Sequence, residues 1–140
     1  MAQLAEHLCF LMDVAARKIT KFYNQRLRRF GITYNHLFTL TCLWEQDGMN
    51  VKDLSKQLIL DSSSLTGYLD RLETRGLVHR QDDPEDRRGM RVFSTAQGWS
   101  LKNQLEPIGQ ELKHTLEQGV PHGKVEAFAQ ALRHIHDRLG

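Results

Sequence analysis

Cysteine, long apolar runs and a charge bias are all scarce in this 140-residue chain. The two cysteines, Cys9 and Cys42, are too few for a disulfide framework and match no zinc-ligand spacing, so reduced thiols are expected. No segment approaches the roughly 18 apolar residues of a membrane span. The longest stretch free of charge, 31–44, is studded with Thr, Asn and His. The N-terminal MAQLAEHLCFLMDVAARK lacks the basic start and longer apolar stretch of a signal peptide, its apolar run closing at Asp13. A soluble, cytoplasmic protein with no membrane partner is the expectation. The 19 basic and 17 acidic side chains leave only +2, a total that does not decide about nucleic acid, because an acidic face easily masks a basic one. Enzyme signatures are also missing: there is no HExxH, P-loop or GxSxG, and His134 and His136 are wrongly spaced for two ligands on one helical face. Asp82, Asp83, Glu85 and Asp86 crowd a turn that offers a metal or an acid–base pair no rigid cradle. No catalytic residue, no metal and no cofactor are expected.

What is present describes a compact fold. Hydrophobic residues at 40% and charged residues at 26% support a packed core, and the length fits one domain over 1–140. Leu4, Leu8, Leu11, Ala15, Ile19, Phe22, Leu27 and Phe30 recur at spacings of three and four, which predicts a helix over 4–30 ended by Gly31. Thr33 caps a second helix with Leu37, Leu40 and Trp44 inward, and Asp47-Gly48 marks a turn. Val51, Leu54 and Leu58 outline a short third helix. A fourth, capped by Asp61 or Ser62, runs to Arg75. Strands are expected at 77–81 and 90–94, around a polar tip of residues 82–89. The helical period then returns through Leu101, Leu105, Ile108, Leu112 and Leu116, and again through Val125, Phe128, Leu132, Ile135 and Leu139. The fold class is mainly α with a small β-hairpin wing. Two long terminal stripes exceed what a monomer of this size can cover, and a two-fold dimer is the usual solution.

The segment VKDLSKQLILDSSSLTGYLDRLE has the short helix, tight turn and second helix of a helix-turn-helix. Its second helix opens with Ser62, Ser63, Ser64 and Thr66, small hydroxylated residues able to donate to phosphates or base edges. Plain capping would need fewer than three serines. Leu65, Leu69 and Leu72 hold this helix to the core. The hairpin adds Arg87, Arg88 and Arg91 at or near its tip, where an arginine can enter a minor groove. Asp86 stands two residues before Arg88, placed to fix its guanidinium by a bidentate bond. A solvated charged turn is the alternative, and a winged-helix module that binds protein without DNA would make Arg87 and Arg88 irrelevant.

The run LDSSSLTGYLDRLETRGLVHRQDDPEDRRGMRVFSTAQG resembles the winged helix-turn-helix signature of the MarR family of bacterial transcription regulators, and the likeness extends over nearly the whole chain. It implies an obligate homodimer, a repressor, on a pseudo-palindromic double-stranded DNA operator. Residues 1–30 and 95–140 would be dimerisation helices and 33–94 the DNA-binding lobe. Gly67 stands where many members carry an arginine, so base readout would lean on the hydroxyls and Arg71. Leu8-Cys9-Phe10-Leu11, Tyr23 and Ile32-Thr33-Tyr34 resemble the OhrR-type organic hydroperoxide sensors. In that branch the matching cysteine is the peroxide-reactive thiol, and tyrosines matching Tyr23 and Tyr34 hydrogen-bond to it, one or both from across the dimer. Asp13 replaces a further tyrosine, and its charge one turn from Cys9 opposes thiolate formation. Cys42 reads as core. The alternative signal is a small aromatic or phenolic ligand near Tyr23, Tyr34, His36 and Trp44.

Overall fold

The computed structural model describes residues 2–140, without the side chains of Ala2, Leu4 and Ala5, so the place given to Leu4 in the first apolar stripe lies outside the described residues. Among the described residues there are six α-helices and one three-stranded antiparallel sheet. Helix α1 (Ala2–Leu27) tightens into a 3-10 turn at Arg28–Phe30, so the helix expected over 4–30 changes pitch for its last three residues. Gly31 ends it with φ +71°, its N–H bonded to the Arg28 carbonyl. Helix α2 (Tyr34–Glu45) starts after Thr33, whose backbone N–H donates to His36 Nδ1 at 2.9 Å. Histidine thereby does the work that Glu or Gln does in the usual capping box. The buried face of α2 runs through His36, Thr39, Leu40, Cys42 and Leu43, with Leu37 and Trp44 only half-buried, so the helix is rotated from the expected inner face.

A two-residue strand, β1 (Met49–Asn50), precedes helix α3 (Val51–Leu58), which the Asn50 side chain caps by accepting from the Asp53 N–H at 2.8 Å. The turn to helix α4 (Ser62–Thr74) passes through Ile59 in the left-handed region. Leu54, Leu65, Leu69 and Leu72 are fully buried at the junction of α3 and α4 with the core. Each contributes roughly 1.5–3 kcal/mol by leaving water. Strands β2 (Val78–Asp83) and β3 (Asp86–Ser94) pair from Val78–Ser94 out to Asp83–Asp86, and β3 also pairs with β1 through Met49–Val92. The expected polar tip of eight residues is therefore mostly strand, and only Pro84 and Glu85 separate the two.

Residues Met1–Gln104 and Leu105–Gly140 form two compact units. Helix α5 (Ala96–Gly119) belongs to both, and Pro107 interrupts its hydrogen-bond ladder just past the division. In the second unit, helix α6 (Val125–Leu139) has no buried residue, and Val125, Phe128, Leu132 and Leu139 are exposed along it. In the first unit, Leu8, Phe10 and Leu11 of α1 are exposed as well. Among the described residues no helix is long and apolar enough to cross a membrane.

Candidate nucleic-acid interface

Asp61 caps α4. Its Oδ1 accepts from the Ser64 N–H at 2.7 Å and from the Ser63 hydroxyl at 2.9 Å, and its Oδ2 accepts from the Ser64 hydroxyl at 3.1 Å. The Ser64 backbone N–H, followed by the two hydroxyls, holds the carboxyl below the usual carboxylate range, so it is ionised at neutral pH. The Thr66 hydroxyl donates to the Ser62 carbonyl at 2.8 Å. The cap thus engages two of the three serines, Ser63 and Ser64, and leaves the Ser62 hydroxyl outside it. Gly67 is exposed, with nothing within 4 Å of the place a Cβ would take.

A groove of about 740 Å³ runs between α3, α4 and the hairpin, with Lys52, Lys56, Ser62, Thr66, Asp86 and Arg88 in its wall. Lys52 and Lys56 were not singled out from the sequence. Their spacing of four on the helix before the turn puts both on one face, which is a legible signal. Three consecutive elements therefore bring hydroxyls, ammonium groups and the guanidinium groups of Arg80 and Arg88 to one concavity, with the carboxylates of Asp83, Glu85 and Asp86 on its hairpin side. That combination suits a polyanion carrying readable edges.

The hairpin corrects two expectations. Asp86 Oδ1 accepts from the backbone N–H of Arg88 at 3.0 Å, so it fixes the chain at the tip instead of the guanidinium. Arg91 turns inward: its Nε donates to Asp83 Oδ1 at 3.0 Å, its Nη1 to the Gly48 carbonyl at 3.0 Å and its Nη2 to Glu85 at 3.4 Å. The Asp83 side chain is only 4% exposed, and a carboxylate that dry needs a cationic partner. Its acidity is raised by the Glu85 backbone N–H and then by Arg91. Arg87 and Arg88 remain exposed.

Two further arginine contacts set the angle of α4. Arg80 of β2 donates to Asp70 at 2.6 Å and to Glu73 at 2.9 Å, while its backbone N–H donates to Glu73 Oε2 at 3.0 Å. Arg71, expected as a base reader, sits in the last turn of α4 and donates to the Gly31 carbonyl at 3.3 Å. The Arg75 guanidinium fills the space where a Gly31 Cβ would stand. The C-terminal half of α4 is thus joined to the end of α1, while in the N-terminal half Ser62, Ser63, Thr66 and Gly67 are exposed opposite the buried Leu65.

The sensor candidates are divided. Cys9 is exposed on α1, and Tyr23 follows it by 14 residues, about 21 Å at 1.5 Å per residue. One chain does not bring the thiol to the tyrosines. Tyr23 and Tyr34 stack at 4.3 Å and 6°, and Phe38 continues the stack at 4.2 Å from Tyr34. Burial, with Tyr23 beside it, pushes the Tyr34 phenol up to about 12. Asp13 pairs with Arg17 at 3.7 Å, which offsets part of its charge. Cys42 is buried and its thiol is pushed up by burial and then by Glu45, in keeping with a core role.

Known proteins share this arrangement. The MarR family model matches residues 32–90. An organic hydroperoxide resistance transcriptional regulator of Bacillus subtilis is 38% identical over 76% of this chain and 72% of its own length. The regulator SarZ of Staphylococcus epidermidis is 32% identical over 78% and 74% respectively. AbfR of S. epidermidis, solved on DNA in a reduced form, is 28% identical over 99% of this chain and 95% of that one, with a TM-score of 0.76; its overoxidised form on DNA gives 0.75. Members of the matched family are transcription regulators and not enzymes. With the groove, the wing and these relatives in agreement, this chain belongs to the MarR family of DNA-binding transcription regulators.

Proposed function

We propose that the chain is a cytoplasmic, dimeric repressor of an inverted-repeat operator, released when an organic hydroperoxide oxidises Cys9. The groove that unites Lys52, Lys56, Ser62, Thr66 and Arg88 carries the DNA reading. In it, α4 enters the major groove, Arg87 and Arg88 reach the flanking minor groove, and residues 1–30 and 95–140 pair the two copies. The exposed apolar residues of α1 and α6 support that pairing. The redox reading rests on the exposure of Cys9 and on the hydroperoxide regulator and AbfR among the relatives. The Cys9 thiolate attacks the terminal peroxide oxygen, the O–O bond breaks, and the alcohol leaves after taking a proton. Cys9 becomes a sulfenic acid. In a dimer the partner copy would supply one or both of the tyrosines, Tyr23 of α1 lying about 21 Å from Cys9 along the same helix.

The test uses the full chain and a duplex that it selects from a random-sequence pool. A dimer by sedimentation is expected, with affinity falling steeply as salt rises. Dilute cumene hydroperoxide should add one oxygen to Cys9 by mass and release the duplex, while Cys9→Ser still binds but ignores the oxidant. If Cys9→Ser is released by peroxide as readily as the parent, the redox reading fails. The Tyr23–Tyr34–Phe38 stack, against whose end a flat ring can lie, then favours a small aromatic ligand.

A further inference from the structure

We infer that Asp61, Ser63, Ser64 and Thr66, at the outward face of α4, read bases as hydrogen-bond acceptors and so select the amino groups of cytosine and adenine. This rests on the reading of α4 as the base-reading helix. A hydroxyl carries one proton and two lone pairs. Both serine hydroxyls face an ionised carboxylate, which can only accept, so their protons point at Asp61. The Thr66 hydroxyl faces the Ser62 carbonyl, which also only accepts. The Ser64 backbone N–H is taken by the same carboxylate. What these four residues keep for a ligand is lone pairs, on three hydroxyls and on Asp61, while the Ser62 hydroxyl in the groove wall keeps its proton and can donate to a phosphate.

In the major groove cytosine presents its N4 amino group and adenine its N6 amino group as donors, while guanine N7 and O6 and thymine O4 are acceptors. An acceptor face pairs with the first set and meets the second with a lost hydrogen bond. Residues 62–69 carry no basic side chain, so the usual bidentate reader of guanine is missing from the first two turns. Phosphate oxygens are acceptors too. Backbone contact therefore falls to Ser62 and, across the groove, to Lys52, Lys56 and Arg88, which separates charge neutralisation from base selection.

The experiment takes the duplex enriched by the full-length protein and replaces single bases within each half-site. Purine in place of adenine, or 2-pyrimidinone in place of cytosine, deletes one amino group; 7-deazaguanine deletes one acceptor. The same replacements outside the half-sites are the control. Amino deletion should cost at least tenfold in affinity at one or more half-site positions, with 7-deazaguanine within twofold of the parent duplex. The reverse pattern would overturn the inference while leaving DNA binding intact. Failure to enrich any duplex would overturn the DNA reading and the inference together. Asp61→Asn keeps a good cap but adds a donor amide. Once its melting curve confirms folding, its own selection should move a half-site position to guanine or thymine. An unchanged consensus would count against the assignment.

Discussion

Gly67 and His36 show how differently two residues of one lobe respond to change. Gly67 sits inside α4 facing open space, so a methyl group there meets nothing. Gly67→Ala should stabilise the protein by about 1 kcal/mol through helix propensity, a rise of about 3–5 °C in melting temperature. His36 is buried and neutral: burial, with Arg71 next, pushes its pKa down, and its Nδ1 accepts the Thr33 N–H. Once unfolded it titrates near 6.5. As pH falls below that value the unfolded chain takes up a proton that the folded one refuses, so stability declines until the lowered folded value is reached. Melting curves from pH 7.5 to 5.5 should show a drop that His36→Gln, which keeps the capping acceptor, reduces. Residue roles were only partly legible in the sequence. The family-like spacing of Asp86 and Arg88 suggested a side-chain pair, but a carboxylate beside a tight turn found the nearer backbone N–H. Arg91 looked equivalent to Arg87 until the burial of Asp83 claimed it.

At the scale of elements, Arg80 is the bolt between wing and reading helix. Both of its partner carboxylates, Asp70 and Glu73, are open to solvent, so screening leaves the link worth about 1 kcal/mol. Arg80→Met should therefore cost little in melting temperature. It should lower DNA affinity more on a long duplex than on one trimmed of the flanks the wing reaches, and an equal loss on both would show that the wing is not what Arg80 positions. Glu73 is held below the usual range chiefly by the Arg80 side chain. The link is hence complete above the ordinary carboxylate value, about 4.3, and is lost as pH falls through the depressed one. Helices were plain in the sequence because period and caps act locally, as with Asp61 before α4 and Asn50 before α3. Strand ends were not. The ladder from Asp82 to Gly89 is built from backbone bonds under polar side chains, which leave no alternation to read. β1 is two residues long and exists because β3 offers it an edge.

At the scale of the whole molecule, the proposed dimer brings two reading helices to one duplex at fixed separation. If the terminal helices set that distance, inserting about 5 bp between selected half-sites turns one of them to the opposite face of the DNA. Affinity should fall to that of a single half-site, as read by fluorescence anisotropy; unchanged binding would mean that the two lobes act independently. The joint between α1 and α4 lies at Gly31. Its carbonyl holds Arg71, its missing side chain makes room for Arg75, and its φ of +71° is one that L side chains rarely adopt. Over long sequence drift these demands separate two kinds of position. The outer face of α4, where Gly67 has space on every side, can be rewritten and the protein sent to a new operator. Gly31 admits no such revision, and a library of all substitutions should be depleted there while Gly67 keeps many. Regulators descended from this chain would change what they read long before they changed how the reading head is hung.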